Sequence, residues 1–245
     1  MIMPKDRFSQ HANQYAAFRP AYPNLLYDFI FSQVKNFDYA WDAGTGNGQV
    51  ARDLCRHFKK VYATDISKKQ LENAHVSENI VYSTAGETTP FPEKYFDLVT
   101  VAQAIHWFDR EKFYAEVKRV AKPNAVVAIW GYGLLSITNE IDPMLNDFYV
   151  NIIGQYWDKE RKLIDEEFKT IDFPFREIGC PKFSFSAEWT IDQFHGYLTT
   201  WSSVQKFIHE KQFNPADELI SRINSLWRSE KLNVQFPLFM RIGLA

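Results

Sequence analysis

The 245-residue chain has few cysteines and lacks the motifs of several enzyme classes. Its two cysteines, Cys55 and Cys180, form no CxxC pair, so we expect two reduced thiols and no disulfide framework. No HExxH or GxSxG motif occurs, and no two histidines lie four residues apart. These absences exclude the zinc-peptidase and α/β-hydrolase patterns and leave no predicted metal site.

The chain also lacks a long apolar run and an excess of basic residues. The longest apolar run, AVVAIWGYGLL at 125–135, is too short to span a bilayer. The opening MIMPKDRFSQHANQY has no apolar stretch of signal-peptide length, so we expect a soluble, cytoplasmic protein without a membrane partner. With a formal net charge of -2, a small-molecule ligand is favoured over nucleic acid.

Apolar and β-branched clusters alternate with amphipathic stretches through residue 130, a pattern typical of a parallel sheet covered by helices. The predicted strands are 39–42, 61–65, 80–83, 96–101 and 125–130, and the predicted helices are 48–58, 68–74 and 110–120. Because a proline cannot continue a helix, Lys122-Pro123-Asn124 predicts a turn before the fifth strand.

The pattern changes after residue 131. Asp142-Pro143 predicts the start of an aromatic-rich helix, and 159–170 predicts a second, charged helix. KFSFSAEW at 182–189 alternates like a strand with one covered face, and Thr190 suits the N-cap of a following helix. Asn214-Pro215 predicts another helix through Trp227. LNVQFPLFMRIGL at 232–244 predicts a last strand, whose proline favours a position near an edge or a bulge.

No internal repeat or flexible linker divides the chain. We therefore expect one α/β domain over 1–245, with a doubly wound, seven-stranded sheet and cap helices within 131–180 and 190–230.

The segment AWDAGTGNGQV at 40–50 places three glycines at alternate positions behind an acidic residue, between a predicted strand and a predicted helix. A bare backbone lets a ligand approach closely, and a helix N terminus supplies free N–H groups. The dinucleotide fingerprint GxGxxG would need a small residue at position 49, which is Gln49. The spacing is instead DxGxGxG, formed by Asp42, Gly44, Gly46 and Gly48.

This spacing resembles the first motif of the class I S-adenosylmethionine-dependent methyltransferases. The resemblance implies S-adenosylmethionine as cofactor, and the ammonium group of that molecule favours a nearby carboxylate such as Asp42. Asp65 ends the next predicted strand, where its carboxylate can accept both ribose hydroxyls, and Ile66 follows it in the implied cofactor site. Taken alone, Asp65 could also cap the helix that follows Ile66-Ser67. The resemblance further implies a Rossmann-like mixed sheet with an antiparallel last strand.

A third segment, STAGETTPFPEKYFDLVTVAQAIHWFD at 83–109, resembles in particular the type 11 branch that includes trans-aconitate methyltransferase. That resemblance places Gly86 and Glu87 beside the adenine, and Ala102 and Gln103 at the border of the adenosine. Gly86 and Thr89 stand where the branch carries alanine and leucine, so adenine packing is expected to differ in detail. The branch also implies an N-terminal lid at about 1–36 and a cofactor-binding core at about 37–130.

His106 and Trp107 follow the fourth predicted strand, which points at the crevice where open α/β sheets bind ligands. We expect both to face the substrate, and His106 is the candidate general base. The alternative is a packed tryptophan beside a buried, hydrogen-bonded histidine.

Two further segments resemble the same branch. FSQHANQYAAFRPAYP at 8–23 places Tyr15 and Arg19 over the site, where Arg19 could hold a carboxylate of the cofactor or the substrate. YLTTWSSVQKF at 197–207 places Trp201 above the substrate pocket. An ordinary surface arginine and an aromatic cap core are the alternatives.

We predict a methyltransferase that acts on a small molecule, most readily at an oxygen of a carboxylic acid. Tyr114 and Lys118 have the spacing of a short-chain dehydrogenase pair, but they follow strand four and a solvated helix face explains them. The alternatives that stay open are a cofactor-binding sensor or scaffold without turnover, and a different small-molecule methyl acceptor.

Overall fold

The computed structural model describes residues 21–245. Its strands are β1 Tyr39–Ala43, β2 Lys60–Asp65, β3 Ile80–Thr84, β4 Phe96–Ala102, β5 Ala121–Tyr132, β6 Arg176–Glu177, β7 Phe183–Trp189 and β8 Leu232–Leu244. Its α-helices are α1 Asn24–Gln33, α2 Gln49–Leu54, α3 Lys68–Glu72, α4 Arg110–Val120, α5 Asp142–Asp147, α6 Arg161–Asp165, α7 Ile191–Thr199, α8 Ser202–Lys211 and α9 Ala216–Ile223. Single 3-10 turns lie at Ile105–Trp107, Gly154–Tyr156 and Asn224–Leu226, and a π-helical segment spans Phe148–Ile152.

The strands form one sheet in the order β3-β2-β1-β4-β5-β8-β6, with β7 also paired to β8. Strands β1 to β5 are parallel to one another, and β8 runs antiparallel to β5. Because β7 is antiparallel to β8, it has the direction of the first five strands. The predicted mixed sheet with an antiparallel last strand is therefore confirmed. The two-residue strand β6, which pairs with the end of β8, is an eighth strand that the sequence did not predict.

The proline of the last strand does not lie at an edge of the sheet, which corrects the prediction. Strand β8 lies between β5 and β7, and Pro237 is opposite Ser184 of β7. On its other side the ladder with β5 ends at Tyr132, and the carbonyl of Pro237 accepts from the Gly133 amide beyond it. Pro237 has no backbone N–H, and it lies just beyond the end of the β5–β8 ladder, so no regular ladder hydrogen bond is lost there.

The predicted turn at 122–124 is instead a bulge inside β5. The strand begins at Ala121, directly after α4, and its pairing with β4 shifts between Phe96 opposite Ala121 and Leu98 opposite Val126. Asn124 takes a φ of 62° there, and its amide donates to the carbonyl of Ala245. Residues 122–124, which end α4, therefore form a bulge in the ladder between β4 and β5.

The charged segment 159–170 does not form the long helix that its composition predicts. Only α6, five residues, is helical, and Glu167 and Phe168 follow with φ values of 55° and 58°. This reversal buries Phe168, Ile171 and Phe173 in the core. Burial of three large apolar side chains outweighs the helix propensity of the charged residues.

Successive strand residues point to opposite faces of the sheet, and each face has its own apolar cluster. One cluster joins the strands to α1, α2 and the cap helices through residues such as Leu26, Leu54 and Phe194. The other joins them to α4 and to the segment after α6, through Phe113 and Phe168. Among residues 21–245, no helix is long and apolar enough to cross a membrane.

Candidate active site

The loop between β1 and α2 is built on three glycines. Gly44, Gly46 and Gly48 all have positive φ values, which are 67°, 57° and 77°. A Cβ on Gly44 would lie 2.7 Å from Ala104 Cβ, and one on Gly48 would lie 2.2 Å from the Tyr82 hydroxyl, so both positions need a bare backbone. A Cβ on Gly46 would meet none of residues 21–245 within 4 Å. Gly46 is therefore the glycine whose open side can receive a ligand.

Asp42 lies beneath this loop and is fully enclosed. It is 1% exposed, and its carboxylate accepts hydrogen bonds from the hydroxyls of Thr45 and of Thr100, the latter at 2.8 Å. Burial raises the pKa of Asp42 to about 6, although both threonine hydrogen bonds oppose the shift. Asp42 thus anchors the loop to β4. Because the Asp42 carboxylate is buried beneath the loop, its predicted attraction for the ammonium group of the cofactor would act without direct exposure to the ligand.

Asp65 lies at the end of β2 and joins two backbone segments. One carboxylate oxygen accepts from the Gly46 amide at 2.9 Å, and the other accepts from the Ser67 amide at 2.8 Å. Ser67 in turn caps α3, because its hydroxyl accepts from the Gln70 amide. Asp65 therefore holds the glycine loop against the start of α3. The N-cap of α3 is thus Ser67, and Asp65 supports it through the Ser67 amide. The same carboxylate is the one predicted to face the ribose.

The residues predicted to bind the cofactor include an exposed apolar side chain, Ile66. Ile66 is 41% exposed, and a Cβ on Gly86 would be 3.8 Å from its Cγ2. Glu87 is directed toward α4, where its carboxylate accepts from the amide of the N-cap residue Asp109 at 2.9 Å. Ile66 and Gly86 thus lie side by side, and Glu87 already has one hydrogen bond that fixes the neighbouring helix.

Gln103 follows Ala102 at the end of β4 and takes a φ of 54°. Its side-chain amide pairs with the backbone of Tyr132 in both directions, at 3.2 Å each. A Cβ on Gly131 would come within 2.5 Å of the Gln103 Oε1, so this pairing depends on a glycine in β5. Gln103 thus keeps the ends of β4 and β5 together at the floor of the cleft.

A cleft that is partly open to solvent lies beyond the end of β4. Residues that line it include His106, Trp107, Trp157, Arg161, Trp201 and Ser202. Three of the predicted substrate-facing residues, His106, Trp107 and Trp201, are therefore brought together. Tyr15 and Arg19, the other predicted residues over the site, lie outside the described residues.

His106 is 6% exposed and packs against Trp107, with ring centroids 4.6 Å apart. Its Nδ1 is buried and has no hydrogen-bond partner among the described residues. Desolvation, followed by the charges of Arg161 and Arg110, lowers the pKa of His106 to about 3. The imidazole is consequently neutral at physiological pH and is a very weak base.

The sequence interpretation missed Arg161 and Trp157. Arg161 begins α6 and stacks over the Trp157 ring, with the guanidinium carbon 4.7 Å from the ring centroid. A charged run such as DKERK is typical of a solvated helix face, so only the aromatic residues beside it hinted at a buried role. Within residues 21–245, no cluster of three or more histidine, cysteine or acidic residues could hold a metal ion.

The fold and the loop together define a class of protein. A left-handed glycine turn after β1, a carboxylate at the end of β2 and a cleft at the carboxyl ends of parallel strands are features typical of doubly wound α/β enzymes that bind nucleoside cofactors.

Comparisons with known proteins identify the family. The methyltransferase-domain model matches residues 41–129. A protein of Dictyostelium discoideum named as a candidate methyltransferase is 35% identical, over 96% of this chain and 93% of its own. The solved structure of a candidate type II methyltransferase from Anaeromyxobacter dehalogenans is 33% identical, with a TM-score of 0.86 over 93% of this chain and 98% of its own.

A second solved structure shares the fold. Haemonchus contortus phosphoethanolamine N-methyltransferase 2, in complex with phosphomonomethylethanolamine and S-adenosylhomocysteine, is 20% identical, with a TM-score of 0.51 over 99% of this chain and 60% of its own.

This chain belongs to the class I S-adenosylmethionine-dependent methyltransferases. The site is consistent with that cofactor, because the open side of Gly46 and the exposed Ile66 leave room for a ligand along the ends of β1 and β2.

Proposed function

We propose that the enzyme methylates an oxygen of a small carboxylic acid. The observation that carries the proposal is the neutral, buried imidazole of His106 in the cleft. A phenol or an amine needs a base to remove its proton, whereas a carboxylic acid is already deprotonated at neutral pH. Burial lowers the pKa of His106 to about 3, which makes it a weak base for that step. The resemblance to the trans-aconitate branch favours the same substrate class.

The cofactor residues are assigned by the same proposal. Gly46 provides the open backbone, Asp65 accepts the ribose hydroxyls, and Ile66, Gly86 and Glu87 border the adenine. Ala102 and Gln103 border the adenosine, and Arg19 binds a carboxylate. Bound S-adenosylmethionine supplies a methyl group activated by its sulfonium, and transfer to a carboxylate yields a methyl ester.

Within the cleft, we assign His106 a positioning role, as a neutral hydrogen-bonding group. Trp107 and Trp201 provide aromatic walls that exclude water and can face a cationic sulfonium. For Tyr15, which lies outside the described residues, the family resemblance alone implies a role over the site. Holding the reactants in line in a dry pocket is the main contribution that such a transfer requires from side chains.

The first experiment measures cofactor binding by calorimetry with S-adenosylmethionine, S-adenosylhomocysteine and, as control, NADH. We expect micromolar binding of the first two alone. Methyl-labelled cofactor is then incubated with size-matched acids, phenols and amines. A carboxyl methyl ester is recognised because mild base releases its label as volatile methanol. Base-stable label on a phenol or an amine, with none on any acid, would contradict the proposed substrate class.

The cytoplasm stays the predicted location.

A further inference from the structure

Arg161 is held in one orientation by contacts that use only one edge of its guanidinium group. Its Nε donates to the Tyr149 hydroxyl at 2.7 Å and lies 3.5 Å from Asp165 Oδ1. Tyr149 donates in turn to Asp165 at 2.6 Å, and the guanidinium rests on the Trp157 ring. Among the described residues, the two terminal nitrogens have no hydrogen-bond partner. Arg161 therefore presents a fixed, two-pronged donor in the wall of the cleft.

Helix α8 starts at the same cleft with an uncapped N terminus. Its N-cap residue is Trp201, whose indole cannot accept a hydrogen bond, and no side chain caps the helix. The first backbone hydrogen bond of the helix runs from the Gln205 amide to the Trp201 carbonyl. In the described part of the chain, the amides of residues 202–204 donate to no backbone acceptor. Ser202, the first residue of the helix, lines the cleft.

A third group in this cleft also lacks a partner. His106 is buried and neutral, and its Nδ1 makes no hydrogen bond to a described residue. The acidic residue that lines the cleft, Asp158, forms an ion pair with Lys206 of α8 at 2.8 Å, which offsets its charge. The cleft thus combines an oriented guanidinium and an open helix N terminus, two features that favour an anion.

We propose that Arg161 and the N terminus of α8 form a subsite that anchors a carboxylate of the methyl acceptor other than the carboxylate that is methylated. This inference rests on the proposed function, because it assumes a small-molecule acid in the cleft. The terminal nitrogens of an arginine match a planar carboxylate in a two-pronged geometry, and the amides of α8 add donors for the same group. The subsite selects diacids over monoacids.

The test measures binding to the enzyme saturated with S-adenosylhomocysteine, so that no turnover is needed. The probes are succinate and butyrate, four-carbon acids that differ by one carboxylate. We expect succinate to bind about ten times or more as tightly as butyrate, and Arg161→Gln to abolish that preference, as a lost charged hydrogen-bonding pair implies. S-adenosylhomocysteine affinity should not change.

Two variants separate geometry from charge. Arg161→Lys retains the charge without the fork and should recover only part of the preference. Arg110→Gln also removes a positive charge that acts on His106, but Arg110 does not line the cleft, so the preference should stay. Equal losses in Arg161→Gln and Arg110→Gln would overturn the subsite in favour of a general charge effect.

The contribution of α8 is tested with Ser202→Pro. Proline is tolerated at the first helical position, and the extended Trp201 backbone, φ -67° and ψ 135°, suits the residue before a proline. This variant removes one amide donor, and we expect a loss in succinate affinity of about threefold or more. Ser202→Ala keeps the amide and serves as the matched control. Wild-type affinity in Ser202→Pro would remove α8 from the subsite.

Inorganic phosphate is the competing probe. If phosphate binds more tightly than succinate and depends on Arg161, the subsite is a phosphate site and the carboxylate assignment is wrong. Absence of any Arg161-dependent anion binding would overturn the inference, even if acids are methylated. Conversely, Arg161-dependent succinate binding without ester formation on any acid would leave the subsite in place and refute the proposed function.

Discussion

Gly46 lies in the turn between β1 and α2 with φ 57°, and in the described part of the chain no atom lies within 4 Å of a Cβ added to it. Replacement by valine should therefore cause no clash with residues 21–245, and its cost there is a backbone strain of about 1–2 kcal/mol for a β-branched residue in the left-handed region. The new side chain would project toward the space assigned to the cofactor.

For Gly46→Val we expect S-adenosylmethionine affinity to fall at least about 100-fold, because the side chain occupies the ligand's place. Calorimetric titration measures the loss, and circular dichroism checks the fold. Gly179→Val is the matched control, since a Cβ there also meets nothing within 4 Å and its backbone is not left-handed. Unchanged affinity in Gly46→Val would show that the glycine loop does not contact the cofactor.

The lowered pKa of His106 predicts that the free energy of unfolding depends on pH. Its pKa is about 3 in the folded protein and has an ordinary value when the chain unfolds. Between these values the unfolded chain binds more protons, so the free energy of unfolding should fall as the pH drops below about 6.5. A single such group changes that free energy by up to about 1.4 kcal/mol per pH unit.

The measurement is urea unfolding of wild type and His106→Gln at pH 4, 5, 6 and 7. Asp42, with a pKa raised to about 6, acts in the opposite direction between about 3.8 and 6, and the comparison of the two proteins cancels its effect. We expect the slope of stability against pH to be smaller in the variant. Parallel curves would mean that His106 is hydrated or hydrogen-bonded in solution.

Helix α7 begins with a reciprocal pair of hydrogen bonds. Thr190 accepts from the Gln193 amide through its hydroxyl, and the Gln193 side chain accepts from the Thr190 amide. Thr190→Ala should lower the free energy of unfolding by about 1 kcal/mol, as loss of an N-cap hydroxyl usually does. Chemical denaturation measures the change. Thr190→Ser keeps the hydroxyl and should stay close to wild type, whereas equal loss in both variants would assign the effect to the lost methyl group.

The secondary structure was most predictable where local chemistry is strong. The five parallel strands and helix α4 were predicted to within a few residues because β-branched runs and amphipathic spacing agree with their tertiary surroundings. The segment 159–170 was predicted wrongly, because burial of Phe168 decides its path and a residue's burial partner is not visible in its own neighbourhood. The two-residue strand β6 carries no periodic signal at all.

The sheet and the cap share one apolar cluster. Phe236 of β8 stacks on Phe185 of β7 with ring centroids 4.9 Å apart, and it contacts Tyr197 of α7 at 5.7 Å. We expect the chain to unfold in one transition for this reason. Phe236→Ala should cost about 3–5 kcal/mol and lower the melting temperature without splitting the transition.

Thermal unfolding followed by far-ultraviolet circular dichroism and by tryptophan fluorescence tests this expectation. Coincident curves in wild type and in Phe236→Ala would agree with one cooperative unit. Separate midpoints for the two probes would indicate a cap that unfolds independently of the sheet.

The sequence by itself determined the class of fold, and its resemblance to a known family indicated the type of cofactor. Glycines at alternate positions after a short strand, and an acidic residue at the end of the next strand, are local signals with a direct physical meaning. The residues at the carboxyl end of β4 were predicted to face the cleft for the same reason.

Only the tertiary structure decided which distant groups meet. Asp65 reaches the Gly46 amide across 19 residues, Gln103 reaches Tyr132 across 29, and Arg161 comes to line the same cleft as His106. It also decided that His106 is a neutral group, since burial and neighbouring charges lower its pKa. Such contacts and desolvation depend on the packing of segments far apart in the chain, which local spacing does not encode.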